Sequence, residues 1–350
     1  MSKQGYRDHL IKLGSTIRTA LVQLDKLAKD AILFVVDNED RLIGSLTDGD
    51  VRRGLIRGIG INDTVDSIIQ AHPKFIKKSN YNLQDVISHR EGNYRILPIV
   101  DNDNRILNIL NFRNMRSYLP VDAVIMAGGR GQRLSPLTDT IPKPLLKIGN
   151  KPIIEYNLER LALYGVDDFW ISINYLGEKI EDYLGNGSNR DVKIEYVWED
   201  KPLGTIGAVS KISDLQHDYV LITNSDVLTN LDYEHFFLDF IEKDADISVV
   251  SIPYNVNIPY AVLETQGHNI INFKEKPTIT YYSNGGIYLF KKSILEYIPK
   301  NAFFNATDLL EQAIKLSHKV ISYPLAGYWL DIGKHDDYAK AQMDIGKIKF

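Results

Sequence analysis

The sequence predicts an α/β protein: a doubly wound, mostly parallel sheet preceded by a smaller α/β module made of two copies of one unit. Three observations carry this. The run VDAVIMA (121–127) is almost wholly apolar and opens directly into a glycine-rich loop, as expected of a strand buried on both faces of a parallel sheet and leading to a ligand. Strand-like and helix-like periodicities alternate after it. Before it, AILFVVD (31–37) matches RILPIVD (95–101), and RLIGSLT (41–47) matches RILNILN (105–111), both at a spacing of 64 residues. A fixed spacing of this kind marks an internal repeat.

Each repeat reads as strand, acidic turn (DNED 37–40, DNDN 101–104), strand, then helix. β-Branched runs bounded by Asn and Asp carry the strand assignments. A helix over 15–29 places Ile17, Ala20, Leu21, Leu24 and Leu27 on one face, and residues 82–89 are its counterpart in the second unit. Pro120 cannot continue a helix, which sets a boundary between a module over 1–119 and a larger domain over 120–350. In that domain a helix over 152–164 buries Ile154, Leu158 and Leu161. Strands follow at 169–174, 192–198, 219–223 and 247–252. Residues 260–290 read as short antiparallel strands, and a last helix starts near His335.

Composition narrows the chemistry. With a net charge of -4 the chain has no basic surface for nucleic acid, so an anionic substrate must be met by a few placed cations. The absence of cysteine excludes disulfides, thiolate metal sites and cysteine nucleophiles. The segment MSKQGYRDHLIKLGST has no apolar signal region, and no apolar run nears the ~20 residues of a membrane span. A cytoplasmic protein with no membrane partner is the expectation.

The strongest motif is AGGRGQRL (127–134). Gly128, Gly129 and Gly131, following Ala127, let the backbone approach a ligand and turn amides toward phosphate oxygens. Gln132 follows, then Arg133, whose planar charge suits phosphate. Leu134 stands where a dinucleotide fingerprint needs its last glycine, and no Gly-Lys-Ser/Thr follows as in a Walker loop. Ten residues after Arg133, Lys143 lies between two prolines and is biased toward extended geometry. By itself that is a solvated turn; behind this loop it is a point charge for a triphosphate.

The string GGRGQRLSPLTDTIPKPLLKIGNKPIIEY (128–156) resembles the sugar-phosphate nucleotidyltransferases, or nucleotide-sugar pyrophosphorylases, over about residues 121–340. That family usually has Thr where this chain has Gln132, a departure that bears on nucleotide contacts. The resemblance implies the Rossmann-like nucleotide-diphospho-sugar transferase fold. It implies that Mg²⁺ is the cofactor, bound by Asp226 at the end of YVLITNSD (219–226) and by Asp331 in YWLDIG (328–333). The plain alternative for both acids is a helix N-cap or turn. It implies that PLGTIGA (202–208), with Gly204 and Thr205, binds the base, with Glu199 reading the base edge. It implies that Glu275 and Lys276 of FKEKP hold sugar hydroxyls and sugar phosphate, although a charged hairpin turn would look the same. Asn284 and Gly286 of NGGIY would lie beside the sugar.

The implied partners are a nucleoside triphosphate and a sugar 1-phosphate, joined with release of pyrophosphate. Arg133 and Lys143 stabilise charge on the triphosphate, and no general base is required because the nucleophile is already ionised. The resemblance leans toward GTP with a mannose- or amino-sugar 1-phosphate; uridylyl, thymidylyl and cytidylyl transfer stay open. A non-catalytic, nucleotide-sensing regulatory subunit is the alternative from another class.

GSLTDGDVRR (44–53) resembles the end of a cystathionine-β-synthase-type (CBS) repeat. The resemblance implies a CBS pair in which Thr47 and Asp50 contact the phosphate and ribose of an adenine nucleotide, and a homo-oligomer. The second repeat has Asn111 and Asn114 at the matching positions, leaving at most one well-formed site. A structural, dimerising module without ligand is the other reading.

Overall fold

The structure, a computed structural model, describes residues 5–348. Residues 1–4 of the expected N-terminal module and 349–350 of the expected larger domain lie outside the described residues. The chain divides into two compact units: Met1–Pro120 with Ala162–Asp167 and Ser188–Val192, and Val121–Leu161 with Asp168–Gly187 and Lys193–Phe350. No helix among the described residues is long and apolar enough to cross a membrane.

In the first unit the repeat is visible in atomic detail. Strand Ile32–Val36 pairs antiparallel with Leu42–Thr47, and Ile96–Val100 pairs antiparallel with Ile106–Asn111. Both hairpins turn the same way. Asp37 Oδ1 accepts from the amides of Glu39 and Arg41 at 2.8 and 2.9 Å; Asp101 Oδ1 accepts from those of Asp103 and Arg105, both at 2.8 Å. Asp40 and Asn104 are both left-handed, with φ of 63° and 62°, a conformation that Asp and Asn tolerate. The helices Ile17–Leu27 and Leu83–Glu91 are capped by Thr16 and Asn82, which accept from Thr19 and Gln84 amides. Ile17, Ala20 and Leu24 are buried in a core with Leu33, Val35, Leu46 and Val51.

The repeats differ after their second strand. Thr47 and Asp50 form a capping box that starts the helix Asp48–Ile56. The expected helix of the second repeat is absent among residues 112–120. There Asn111 Oδ1 accepts from the amide of Arg113, closing a tight turn. With Asn114 in place of Asp50, the carboxylate of the capping box is missing.

The second unit is built on a seven-stranded sheet in the order Lys193–Trp198, Asp168–Ile173, Val121–Met126, Tyr219–Asn224, Thr278–Lys291, Ile247–Asn257, Val320–Pro324. Neighbours run parallel except at Thr278–Lys291, which is antiparallel to both its partners. The doubly wound, mostly parallel sheet is therefore present. Strand Val121–Met126 is buried along nearly all its length, as its composition requires. The first four strands stand in the spatial order third, second, first, fourth. The winding thus reverses between Val121–Met126 and Tyr219–Asn224. A crevice opens at the carboxyl edge of such a reversal, and ligands bind there.

A second apolar cluster supports the edge of that crevice. Leu134, Leu146, Ile148, Ile153, Leu228, Leu330 and Ile332 pack together. Leu134 anchors the glycine loop, while Leu330 and Ile332 flank Asp331. Leu134 is fully buried, so Leu134→Ala is expected to destabilise the protein by about 2–5 kcal/mol through lost burial and a cavity. A lower urea midpoint at unchanged m-value would register this; an unchanged midpoint would refute it.

Candidate active site

Strand Val121–Met126 delivers the glycine loop to the crevice and Tyr219–Asn224 delivers Asp226. The loop needs its glycines for different reasons. Gly131 has φ of +63°, and a Cβ there would lie 3.0 Å from Thr138 and 3.1 Å from Lys143; its carbonyl accepts from Thr138 Oγ1 at 2.9 Å. This close approach presses the loop onto the stem of Lys143. At Gly128 a Cβ would lie 2.6 Å from Glu199 Oε1, so the loop also lies on Glu199.

A short antiparallel ladder fixes the two acids. Val227–Thr229 pairs with Trp329–Asp331, Val227 opposite Asp331, and the amide of Ile332 donates to the Asp226 carbonyl at 3.0 Å. Neither aspartate is an N-cap: Asp226 lies in the turn between two strands, and the last helix, His335–Asp344, is preceded by Lys334. Lys143 Nζ donates to Asp226 Oδ2 and stands 3.7 Å from Asp331 Oδ1. The Arg133 guanidinium closes the group from the other side. It lies beside Gly333, where its charge acts on Asp331.

The electrostatics follow from this crowding. Burial, then the neighbouring Asp226 charge, push the Asp331 carboxyl up to about 6, against the pull of Lys143 and Arg133. Asp226 Oδ1 and Asp331 Oδ1 are buried without a hydrogen-bond partner. Two buried carboxylate oxygens without hydrogen bonds, on neighbouring acids, suit a hard divalent cation. The other group of acids beside a histidine, Asp122 and Asp168 with His217, lies at the amino ends of the strands, the opposite edge of the sheet, and is not part of this site.

A test follows from Asp331. Its carboxyl holds a proton more tightly folded than unfolded, so the metal-free protein loses stability as pH rises from about 4 toward about 6, then levels off. A divalent cation must displace that proton. The rise in melting temperature caused by Mg²⁺ is expected to be larger above pH 6 than below it. An increment independent of pH would sever Asp331 from the metal.

The crevice is a cavity of about 350 Å³, within the range of small-molecule sites. Of the residues singled out in the sequence, Ala127, Gly128, Gly129, Lys143, Glu199, Gly204, Thr205 and Asp226 line it. Glu199 is buried; it accepts from Ser172 Oγ and, at 2.9 Å, from the amide of Leu203. Thr205 Oγ1 accepts from the Ala306 amide at 2.8 Å and so also ties down the helix Ala306–Lys315. Gly286 is buried against Asn224, which lines the cavity. Asn284 is exposed beside it, accepting from the Gly286 amide at 2.9 Å.

The other predicted residues, Gly131, Gln132, Arg133, Glu275, Lys276, Asn284, Gly286 and Asp331, do not line the cavity wall. Gln132 is exposed on the loop, and Glu275 and Lys276 are exposed beyond the hairpin of Val262–Gln266 and Asn269–Lys274. That hairpin forms a two-stranded sheet of its own, with an internal ion pair, Lys274 to Glu264 at 2.9 Å. Sequence reasoning missed Arg130, Asn174 and Phe303, which line the cavity. Arg130 was inside the quoted motif, its guanidinium 5.0 Å from the Tyr175 ring centre. Phe303 is 63% exposed; an aromatic left in water at a cavity mouth is visible only in three dimensions.

In the first unit, Thr47 and Asp50 meet as expected, but each serves the fold. Asp50 is 3% exposed, and its two oxygens accept from Thr47 N, Thr47 Oγ1, Arg53 and Gln70. Burial raises its pKa, but these bonds outweigh that and hold the carboxyl below its ordinary value. Four donors fill the four lone-pair positions of a carboxylate.

Comparison with known proteins identifies the family. The nucleotidyl transferase family model matches residues 122–348, and the CBS domain model matches 9–57. D-glycero-α-D-manno-heptose 1-phosphate guanylyltransferase of Aneurinibacillus thermoaerophilus is 34% identical over 231 residues, 64% of this chain and 98% of that protein. UTP–glucose-1-phosphate uridylyltransferase of Synechocystis is 30% identical over 239 residues; the match spans 63% of this chain and 62% of that longer relative. The crystal structure of HddC from Yersinia pseudotuberculosis complexed with GMP-PN superposes with a TM-score of 0.50 at 27% identity, covering 64% of this chain and 99% of that one. From its glycine loop to its last helix, the chain belongs to the nucleotidyl transferase family, with a CBS domain ahead of it.

Proposed function

We propose that this protein condenses GTP with a sugar 1-phosphate to give a GDP-sugar and pyrophosphate, the region 120–350 carrying the chemistry and 1–119 a regulatory role. The observation that carries the reading is the meeting of Lys143, Asp226 and Asp331 beside Arg133 at the switch point, with two buried carboxylate oxygens that no hydrogen bond reaches. Asp226 and Asp331 would hold Mg²⁺, which supplies neutralisation of charge between two anionic reactants.

An oxygen of the sugar 1-phosphate forms the new bond to the α-phosphorus. The bond from that phosphorus to the bridging oxygen breaks, and its electron pair leaves on pyrophosphate. Arg133 and Lys143 stabilise the charge gathering on the leaving group. Backbone amides of Gly128 and Gly129 face the phosphates, while Leu203 and Gly204 form the wall along which the base packs. Glu199 supports guanine: each of its buried oxygens has one protein donor and one free lone pair, and guanine presents two adjacent donors, N1–H and the 2-amino group. Uracil and thymine would set a carbonyl oxygen against the same carboxylate. The A. thermoaerophilus guanylyltransferase and the GMP-PN complex of HddC support the same choice.

The experiment is pyrophosphate release with Mg²⁺, crossing GTP, UTP, dTTP, CTP and ATP against a panel of sugar 1-phosphates. GTP should turn over fastest, and Glu199→Gln should erode the GTP preference by about tenfold or more, the scale of one mispaired buried hydrogen bond. Silence across the panel from folded protein that still binds GTP would favour a nucleotide-sensing regulatory subunit.

A further inference from the structure

Among the described residues two cations line the catalytic cavity, Arg130 and Lys143, and they are held differently. Lys143 is committed to acids: it donates to Asp226 and stands 3.7 Å from Asp331. Arg130 is not. It is exposed on the crest of the glycine loop, between Gly129 and Gly131. Among the described residues the one partner of its side chain is an aromatic ring, the guanidinium carbon lying 5.0 Å from the centre of Tyr175. Tyr175 follows the strand Asp168–Ile173 at the carboxyl edge of the sheet, and its hydroxyl donates to the Asp139 carbonyl at 2.9 Å. Next to Asp139, Thr138 donates to the Gly131 carbonyl at 2.9 Å. A closed circuit of contacts therefore runs from Gly131 through Thr138 and Asp139 to Tyr175, and back to Arg130.

We propose that Arg130 binds the outer phosphates of the nucleoside triphosphate, and that Tyr175 is the positioning residue that aims it. The inference rests on the nucleotidyl-transfer reading above and adds the group that tells a triphosphate from a monophosphate. Attraction of a cation to a ring face is electrostatic and needs no acceptor. The N–H donors of Arg130 therefore stay open to phosphate oxygens, which accept from such a planar fork in pairs. The ring also restrains a long side chain, so less freedom is lost when phosphate binds. The direction of the triphosphate follows from the other groups. In the proposed reaction the α-phosphorus lies by the two acids, and the base packs on Leu203 and Gly204. The β- and γ-phosphates are left to run along the loop toward its exposed crest. Lys143 shares its charge with two acids and Arg133 acts on Asp331, whereas Arg130 offers a charge that no acid offsets.

The test is calorimetric titration of the full chain with GTP and with GMP, both with Mg²⁺, in wild type, Arg130→Gln, Arg130→Lys, Tyr175→Phe and Tyr175→Leu. Thermal melts confirm that each variant is folded. Wild type should bind GTP more tightly than GMP. Arg130→Gln should weaken GTP by about tenfold or more, the scale of a lost charge-assisted hydrogen bond, and GMP by less than about twofold. Arg130→Lys should recover part of the loss. Tyr175→Leu should weaken GTP by about threefold, the scale of an exposed cation–ring contact, and Tyr175→Phe by less, since the ring remains. In kinetics, Arg130→Gln should raise KM for GTP and, in the reverse reaction, KM for pyrophosphate, with KM for the sugar 1-phosphate unmoved. A merely structural Tyr175 would shift all three together. Folded Arg130→Gln that keeps the wild-type margin of GTP over GMP, or wild type without such a margin, would overturn the proposal. The two readings fail separately. Protein that binds GTP through Arg130 yet releases no pyrophosphate sinks the catalytic reading alone; turnover with an unchanged margin in Arg130→Gln sinks this one alone.

Discussion

Arg133→Ala is expected to lower kcat about 10²–10³-fold, the scale of one lost group that stabilises transition-state charge, with the melting temperature almost unmoved. The two halves of this expectation have separate causes. The Arg133 side chain is exposed, so its removal opens no enclosed cavity. Its neighbour Leu134 is what anchors the loop. The guanidinium lies beside Gly333 and acts on Asp331, where the proposed reaction would need a cation against the leaving pyrophosphate. Arg133→Lys should recover part of the loss, since a point charge returns without the planar fork. Steady-state pyrophosphate release and a thermal melt on the same samples decide it. A loss under tenfold, or one that tracks unfolding, would remove Arg133 from the chemistry.

Much of the catalytic unit was legible in the sequence because burial on both faces leaves a continuous apolar run. VDAVIMA could only be a central strand, and the glycine loop had to follow it. The repeat was legible for a related reason: Asp37 and Asp101 each close the same turn, so the acidic residues recur with the strands. Local chemistry could not show what distant packing decides. The asparagines at 111 and 114 were read as the loss of a nucleotide site. In the structure Asn111 closes a tight turn where a helix was expected. Asp50 was read as a ligand contact, yet Gln70, 20 residues away, and Arg53 complete its hydrogen bonds. The side chains of Glu275 and Lys276 show the converse. Their motif is clear in sequence, but it sits beyond a hairpin that pairs only with itself, and no buried contact draws it to the crevice.

Asp226→Asn should be the more damaging change, costing kcat/KM about 10³-fold, which corresponds to about 4 kcal/mol of transition-state stabilisation. The substitution keeps the shape of the side chain and removes one of two facing charges. It leaves Lys143 with Asp331 alone as an anionic partner, 3.7 Å away, and it halves the negative charge offered to a divalent cation. It also takes away the second-largest cause that raises the Asp331 carboxyl, which should then titrate closer to an ordinary carboxylate. Stability and activity therefore separate. Without Mg²⁺ the variant should melt at or above the wild-type temperature, because two like charges no longer face each other. With Mg²⁺ the wild type should gain stability and the variant should gain little. A merely structural Asp226 would give the opposite pattern: a lower melting temperature in the metal-free protein and an unchanged response to Mg²⁺. The melt with and without Mg²⁺, run beside the kinetics, thus tells a metal ligand from a turn residue.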